Sequence, residues 1–180
     1  MNCTGNIPFI AIHERSIPEA YETALRRVWN EGIPVRTEYD RPDDPPSRDA
    51  TVAIAIEDPF CQPRFHRSFA DSLGALAEYV MEVVHGAHDY WVKGRSELEK
   101  GSESSDTRWT YTYHGRLCAF EMDGETTDQL DLMCSRLAKS PHTRRAQAIT
   151  WNTRIDPRTD DPPCLQRVWC RVVETDDNKL

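Results

Sequence analysis

The chain is 180 residues long, 38% hydrophobic and 29% charged, with a formal net charge of -8 at pH 7. That length supplies one real hydrophobic core, or part of a larger one. The acidic balance excludes a general nucleic-acid binder, whose phosphate-facing surface must be basic, but admits a small anionic ligand held by arginines gathered locally.

The chain opens Met1-Asn2-Cys3-Thr4-Gly5, without the basic and apolar stretches of a secretory signal. No apolar run approaches the roughly 20 residues that a membrane-spanning helix needs, so a membrane protein is not expected. Six cysteines, Cys3, Cys61, Cys118, Cys134, Cys164 and Cys170, form no Cys-x-x-Cys pair. Such scatter fits reduced thiols in a cytoplasm better than a disulfide framework or a zinc site.

In chain order, Ser16 followed by Glu19 predicts a capping box opening a helix through Tyr21, Leu25, Val28 and Trp29, stopped by Gly32 and Pro34. A proline- and charge-rich loop, 36–49, comes next. Val52, Ile54 and Ile56 alternate with alanines and predict a largely buried strand. Asp71 or Ser72 can cap a second helix carrying Leu73, Leu76, Tyr79, Val80, Val83 and Val84. Residues 93–106 read as an exposed loop, and Trp109 to Tyr113, alternating aromatic and threonine, as a β segment. A third helix starts near Thr127 or Asp128, with Leu130, Met133, Cys134 and Leu137 on one face. Two β-like runs follow, 145–151 and 166–174, joined by a proline-rich loop, and 176–178 reads as a hairpin turn. Helices interleaved with strands predict an α/β or α+β fold, read as a single domain over 1–180.

Four pieces stand close together: Asp128-Gln129-Leu130, then Pro141-His142-Thr143-Arg144-Arg145, then Thr150-Trp151-Asn152, then Pro162-Pro163-Cys164. A cysteine after two prolines is by itself usually a turn entering a strand. In this order and spacing, however, the four pieces resemble the thymidylate synthase superfamily. Its members have a helix beginning Asp-Gln, a Pro-x-(Ser/Thr)-Arg-Arg turn, a strand ending Trp-Asn and a loop ending Pro-Cys. The resemblance covers about a quarter of the chain and implies a twisted mixed sheet with flanking helices, of which these residues form the N-terminal part.

The resemblance implies that Cys164 is the nucleophile that adds to C6 of a pyrimidine nucleoside monophosphate. Thiolates suit this step because they attack readily and also leave readily. It further implies that Arg144 and Arg145 cross a homodimer interface to hold the 5'-phosphate of the neighbouring subunit's nucleotide. A guanidinium fork matches phosphate oxygens. Arg48 stands where the family keeps another phosphate ligand, though without the expected glycines, and Arg36 competes for that role. Tyr113 resembles the tyrosine near the nucleophile that assists removal of the C5 proton, with a core tyrosine as the bland alternative. A helix glutamate that organises water corresponds to Glu78 or Glu82, with Glu78 favoured by its distance from Gly86. His85, His88 and Asp89 lack further ligands at metal spacing and read as residues at a helix end, so no metal is expected.

The implied co-substrate is 5,10-methylenetetrahydrofolate, with no residue assigned to it. Leu165 stands where thymidylate synthases usually carry histidine, and the aromatic segment reads Tyr-His-Gly-Arg-Leu instead of Tyr-Gly-x-Gln-Trp-Arg. Both departures lean the expectation towards a hydroxymethylase acting on CMP or dCMP, with methylation of dUMP as the alternative. The family fold continues past the nucleophile strand, so a longer polypeptide or a second chain is expected to complete it, and residues 1–180 alone are expected to show no turnover. A non-catalytic nucleotide-binding or partner-binding relative is the reading from another class. A cysteine hydrolase pairing Cys164 with a histidine is a weaker one.

Overall fold

The structure, a computed structural model, describes residues 6–69, 71–94, 97–98 and 107–173. The expected hairpin turn at 176–178 and most of the expected loop at 93–106 lie outside the described residues. The chain forms two compact units, Met1–Asp71 and Ser72–Leu180, and it mixes helices with small paired strands.

In the first unit, strand β1 (Phe9–Glu14) runs parallel to β4 (Thr51–Ile56), with Ile10 opposite Val52 and Ile12 opposite Ile54. Helix α1 (Ile17–Glu31) connects from β1, and β2 (Ile33–Val35) pairs antiparallel with β3 (Ser47–Asp49). The capping box at α1 is complete. The Glu19 amide donates to Ser16 Oγ at 3.3 Å, and the Ser16 amide donates to Glu19 Oε2 at 3.0 Å. Two of the orphan amides of the first turn are thereby satisfied reciprocally. The helix ends at Gly32, whose amide donates to Val28 O.

Ile10 and Ile12 are buried, as is Ala20 on α1. The sequence reading passed over β1, although its apolar residues alternate in the strand period. The expectation that β4 is largely buried is corrected: Ile54 is 48% exposed, and Val52 and Ile56 are only half-buried. A two-stranded ribbon cannot cover both its faces, so a near-continuous apolar run does not by itself guarantee burial.

The second unit begins with α2 (Leu73–His85), capped by Ser72, whose hydroxyl accepts from the Ala75 amide at 3.2 Å. Gly86 ends it in the left-handed conformation at φ 64°. A β-carbon there would also stand 2.5 Å from Asp89 Oδ2 and from His114 Nδ1, so glycine is required twice over. Next come α3 (Tyr113–Cys118), the hairpin of β5 (Phe120–Met122) and β6 (Glu125–Thr127), α4 (Gln129–Lys139), and an antiparallel pair of β7 (Gln147–Ile149) with β8 (Arg167–Trp169).

Leu117, Met133, Ala146 and Ala148 form the core here, flanked by Cys118, Leu130, Leu137 and Val168. The helix expected near Asp128 is present with Asp128 as its cap. Of the four residues expected on one face, Leu130, Met133 and Leu137 pack inward and Cys134 is exposed. Thr112 and Tyr113 are not β structure. Trp109 makes only an isolated bridge to Val92, while the Thr112 hydroxyl accepts from the Gly115 amide at 3.0 Å and starts α3. A threonine that caps a helix competes with its own β preference, and here the cap wins. Lys93, expected on an exposed loop, is buried at 8% exposure.

Candidate active site

The site assembles within the second unit from the loop after β7 and from α3. Pro163 is fully buried, which anchors the backbone and projects the following residue outward, and Cys164 is exposed. The amides of Cys164 and Leu165 both donate to Tyr113 Oη, each at 3.1 Å. Two residues from the resemblance, 51 positions apart, are thus in direct contact. The Tyr113 ring stands edge-on to Tyr111, with centroids 5.4 Å apart.

The phenol of Tyr111 is pushed well above the usual tyrosine range, first by burial, then by its hydrogen bond to Tyr113 and the negative potential of Tyr113, Asp161 and Cys164. Tyr79, on α2, is raised by burial and then by the fields of Tyr113, Glu82 and Cys164. Both phenols thus feel the charge of Cys164 through space. Neither was picked out from the sequence as a functional residue. Tyr79 lies among the apolar residues of the predicted second helix, and Tyr111 in the segment read as a strand.

Behind the loop lies a polar frame. Arg116, three residues after Tyr113 on α3, is 8% exposed, and Asp156 is 2% exposed. Arg116 Nη2 donates to Asp156 Oδ1 at 2.6 Å and Nη1 donates to Thr150 O at 3.1 Å, and the guanidinium carbon lies 5.5 Å from the Tyr111 ring centre. Asp156 Oδ2 accepts from the Asn152 amide at 2.6 Å, and the Thr150 hydroxyl donates to Leu165 O. Gln129 acts as a clamp. Its Nε2 donates to Ile149 O at 2.7 Å and to Arg116 O at 2.8 Å, and its Oε1 accepts from the Ile149 amide at 3.0 Å. A side-chain amide here satisfies the backbone of β7 as a neighbouring strand would. The Asp-Gln motif is thus cap and clamp in successive residues.

The two candidate glutamates differ in setting. Glu78 is exposed. The Glu82 side chain is 15% exposed, with its carboxylate 3.9 Å from His88 Nδ1. His114 Nδ1 lies 2.6 Å from Asp89 Oδ2, while Asp89 Oδ1 accepts from the Thr112 hydroxyl, so these groups tie the end of α2 to the start of α3. Among the described residues, no cluster of three or more His, Cys, Asp or Glu is arranged to hold a metal ion.

Arg144 and Arg145 are exposed just before β7. On and just after the paired strand β8, the guanidinium carbons of Arg167 and Arg171 lie 5.9 and 4.7 Å from the Trp169 ring centre. Arg48 and Arg36 belong to the first unit. Arg48 Nη1 donates to Gly32 O at 3.2 Å and its guanidinium lies over Trp29, whereas Arg36 Nη1 donates to Asp44 O at 2.5 Å. A 290 Å³ cavity opens beside the polar frame, lined among others by Val92, Lys93, Tyr111, Thr112, Phe120 and Ile155. Among the described residues, no helix is long and apolar enough to cross a membrane.

The chain matches no family model. It is nonetheless similar over most of its length to archaeal proteins named Putative thymidylate synthase. One from Methanococcoides burtonii is 27% identical over 154 residues, covering 86% of this chain and 60% of the relative. One from Methanocaldococcus jannaschii is 23% identical over 164 residues, covering 88% and 64% respectively.

The chain is thymidylate-synthase-like.

A third relative, from Methanothermobacter marburgensis, is 39% identical over 82 residues, 43% of this chain and 35% of the relative. The thymidylate-synthase-like chain spans roughly 60% of the length of the curated relatives that it matches across most of its own.

Proposed function

We propose that this thymidylate-synthase-like chain carries the nucleophile of an enzyme that transfers a one-carbon unit to C5 of a pyrimidine nucleoside 5'-monophosphate. The observation that supports this most directly is the Tyr113 oxygen accepting the amides of Cys164 and Leu165, which holds an exposed thiol at a fixed bearing. A bond from the Cys164 sulfur to C6 sends the C5–C6 π electrons to C5, which becomes nucleophilic. Once the C5 proton has gone to a base, the sulfur leaves with its electron pair and the double bond returns. 5,10-Methylenetetrahydrofolate would supply the one-carbon unit and leave as tetrahydrofolate where water completes a hydroxymethyl product, or would supply the hydride as well and leave as dihydrofolate where the product is methyl. The cavity lined by Val92, Tyr111, Phe120 and Ile155, with Asp89, Lys93, Thr112, Arg116, Glu121 and Asn152 among its polar and charged groups, has the mixed walls that would hold its ring.

Arg144 and Arg145 hold the 5'-phosphate across a two-fold homodimer interface. Glu82, half-buried and acting electrostatically on Tyr79, suits the water-organising carboxylate better than the exposed Glu78. Tyr113 spends its oxygen lone pairs on the two loop amides, so it serves as loop holder and proton donor in preference to base.

Leu165 and the Tyr-His-Gly segment favour a hydroxymethyl product on CMP or dCMP, because both alter the walls that decide between hydride and water. A second reading, methylation of dUMP, is favoured by the names of the relatives. Incubating the complete protein and its Cys164→Ser variant with methylenetetrahydrofolate and each of UMP, dUMP, CMP and dCMP tests both. The thiol variant keeps nucleotide binding and loses turnover by about 10³-fold or more. Unchanged turnover in that variant would remove Cys164 from the chemistry, and a methyl-only product from dUMP would select the second reading.

A further inference from the structure

We infer that the buried Arg116–Asp156 ion pair is the positioning device of the nucleophile loop, an inference resting on Cys164 being the nucleophile. Taking two charges out of water is costly, and a well-packed apolar pair of similar volume is often at least as stable. Stability alone therefore gives little reason for a guanidinium at 8% exposure facing a carboxylate at 2%. Direction gives a better one, because every side-chain hydrogen bond of the pair runs to a segment that holds the thiol.

The connections form a closed circuit. Arg116 donates to Asp156 and to the Thr150 carbonyl, and Asp156 accepts the Asn152 amide. The Thr150 hydroxyl donates to the Leu165 carbonyl and its amide to the Gln166 carbonyl. The Leu165 and Cys164 amides donate to Tyr113, which begins the same short helix that carries Arg116. Thr150 itself is completely buried. Three segments, around Tyr113 and Arg116, Thr150 to Asp156, and Cys164 to Gln166, are thus fixed to one another through groups whose partners are satisfied, the condition under which a buried network rigidifies its surroundings. Neither Arg116 nor Asp156 is bonded to the thiol, so both act through the loop.

Two variants test this in the complete protein. Asp156→Asn keeps the size and an acceptor but removes the charge, and Thr150→Val keeps the shape but removes the hydroxyl that reaches the loop. Three quantities are read: hydrogen exchange of the Cys164 and Leu165 amides, iodoacetamide alkylation of Cys164 by peptide mass mapping, and the split of turnover between kcat and KM. Positioning predicts exchange at these two amides faster by about tenfold or more, while α4 amides exchange as in the wild type. It also predicts an altered Cys164 alkylation rate and a kcat lowered roughly 10- to 100-fold with the nucleotide KM changed by less than about threefold. Wild-type exchange at both amides together with wild-type kcat in the folded Thr150→Val variant would overturn the inference, even if Asp156→Asn fails to fold. If the wild-type protein turns over no pyrimidine nucleotide, the functional reading fails separately, and exchange and alkylation still decide whether the pair positions the loop.

Discussion

Tyr113 Oη lies 3.1 Å from the amide nitrogen of Cys164 and 3.1 Å from that of Leu165, so one phenol oxygen receives both peptide donors flanking the exposed thiol. Replacing Tyr113 with Phe leaves the ring and removes that acceptor. A net hydrogen bond contributes about 1 kcal/mol, so the loss is expected to be about 1–2 kcal/mol in urea unfolding because solvent can replace part of it at this exposed loop. Turnover is expected to fall well beyond that energy, since the loop loses its bearing. Equal small losses in stability and activity would mean that the contact is only packing.

Arg144 and Arg145 stand exposed before β7, with the buried Ala146 between them and the strand. Changing either to Ala is expected to raise the KM or Kd for a nucleoside monophosphate roughly 10- to 100-fold, the scale of a lost charge-assisted contact. Binding of the phosphate-free nucleoside should not change. Isothermal titration with both ligands separates a phosphate contact from a fold defect, which would weaken both.

Tyr111 carries the stability prediction for alkaline pH. Its phenol is held above the ordinary value near 10, chiefly by burial. The folded state therefore keeps a proton that the unfolded chain releases, so stability is fully present below about pH 10 and falls as the pH rises beyond that. In Tyr111→Phe the decline above pH 10 should become shallower, as read by urea midpoints between pH 8 and 11. Equal slopes for variant and wild type would contradict the prediction.

Cys118 and Cys164 are expected to separate in thiol labelling. Burial, followed by the fields of Asp128 and Asp89, pushes the Cys118 thiol up, whereas Cys164 is exposed on its loop. Thiolate is the reacting form, so iodoacetamide at pH 8 should label Cys164 well before Cys118 in the folded protein, and the difference should vanish in urea. Mass mapping of the two peptides over time gives both rates.

What was legible in the sequence was local. Ser16 and Glu19 fix the start of α1, and Asp128 the start of α4, because a cap and its helix lie within three residues and need nothing distant. The two prolines before Cys164 likewise restrict the backbone locally, whereas the exposure of the thiol is seen only in the structure. Side chains whose setting depends on distant partners were another matter. Thr112 and Tyr113 have strand propensity yet open a helix, and Lys93 sits in a polar stretch yet is buried. The pairing of Arg116 with Asp156 spans 40 residues and that of Tyr113 with Cys164 spans 51. Propensity and periodicity report only on near neighbours along the chain, so the sequence determined the capped helices and marked Cys164 as a candidate by its motif. Only the packing of α3 against the β7–β8 loop decided what holds that thiol in place, because burying a charge or orienting an amide depends on partners that the fold brings in from elsewhere.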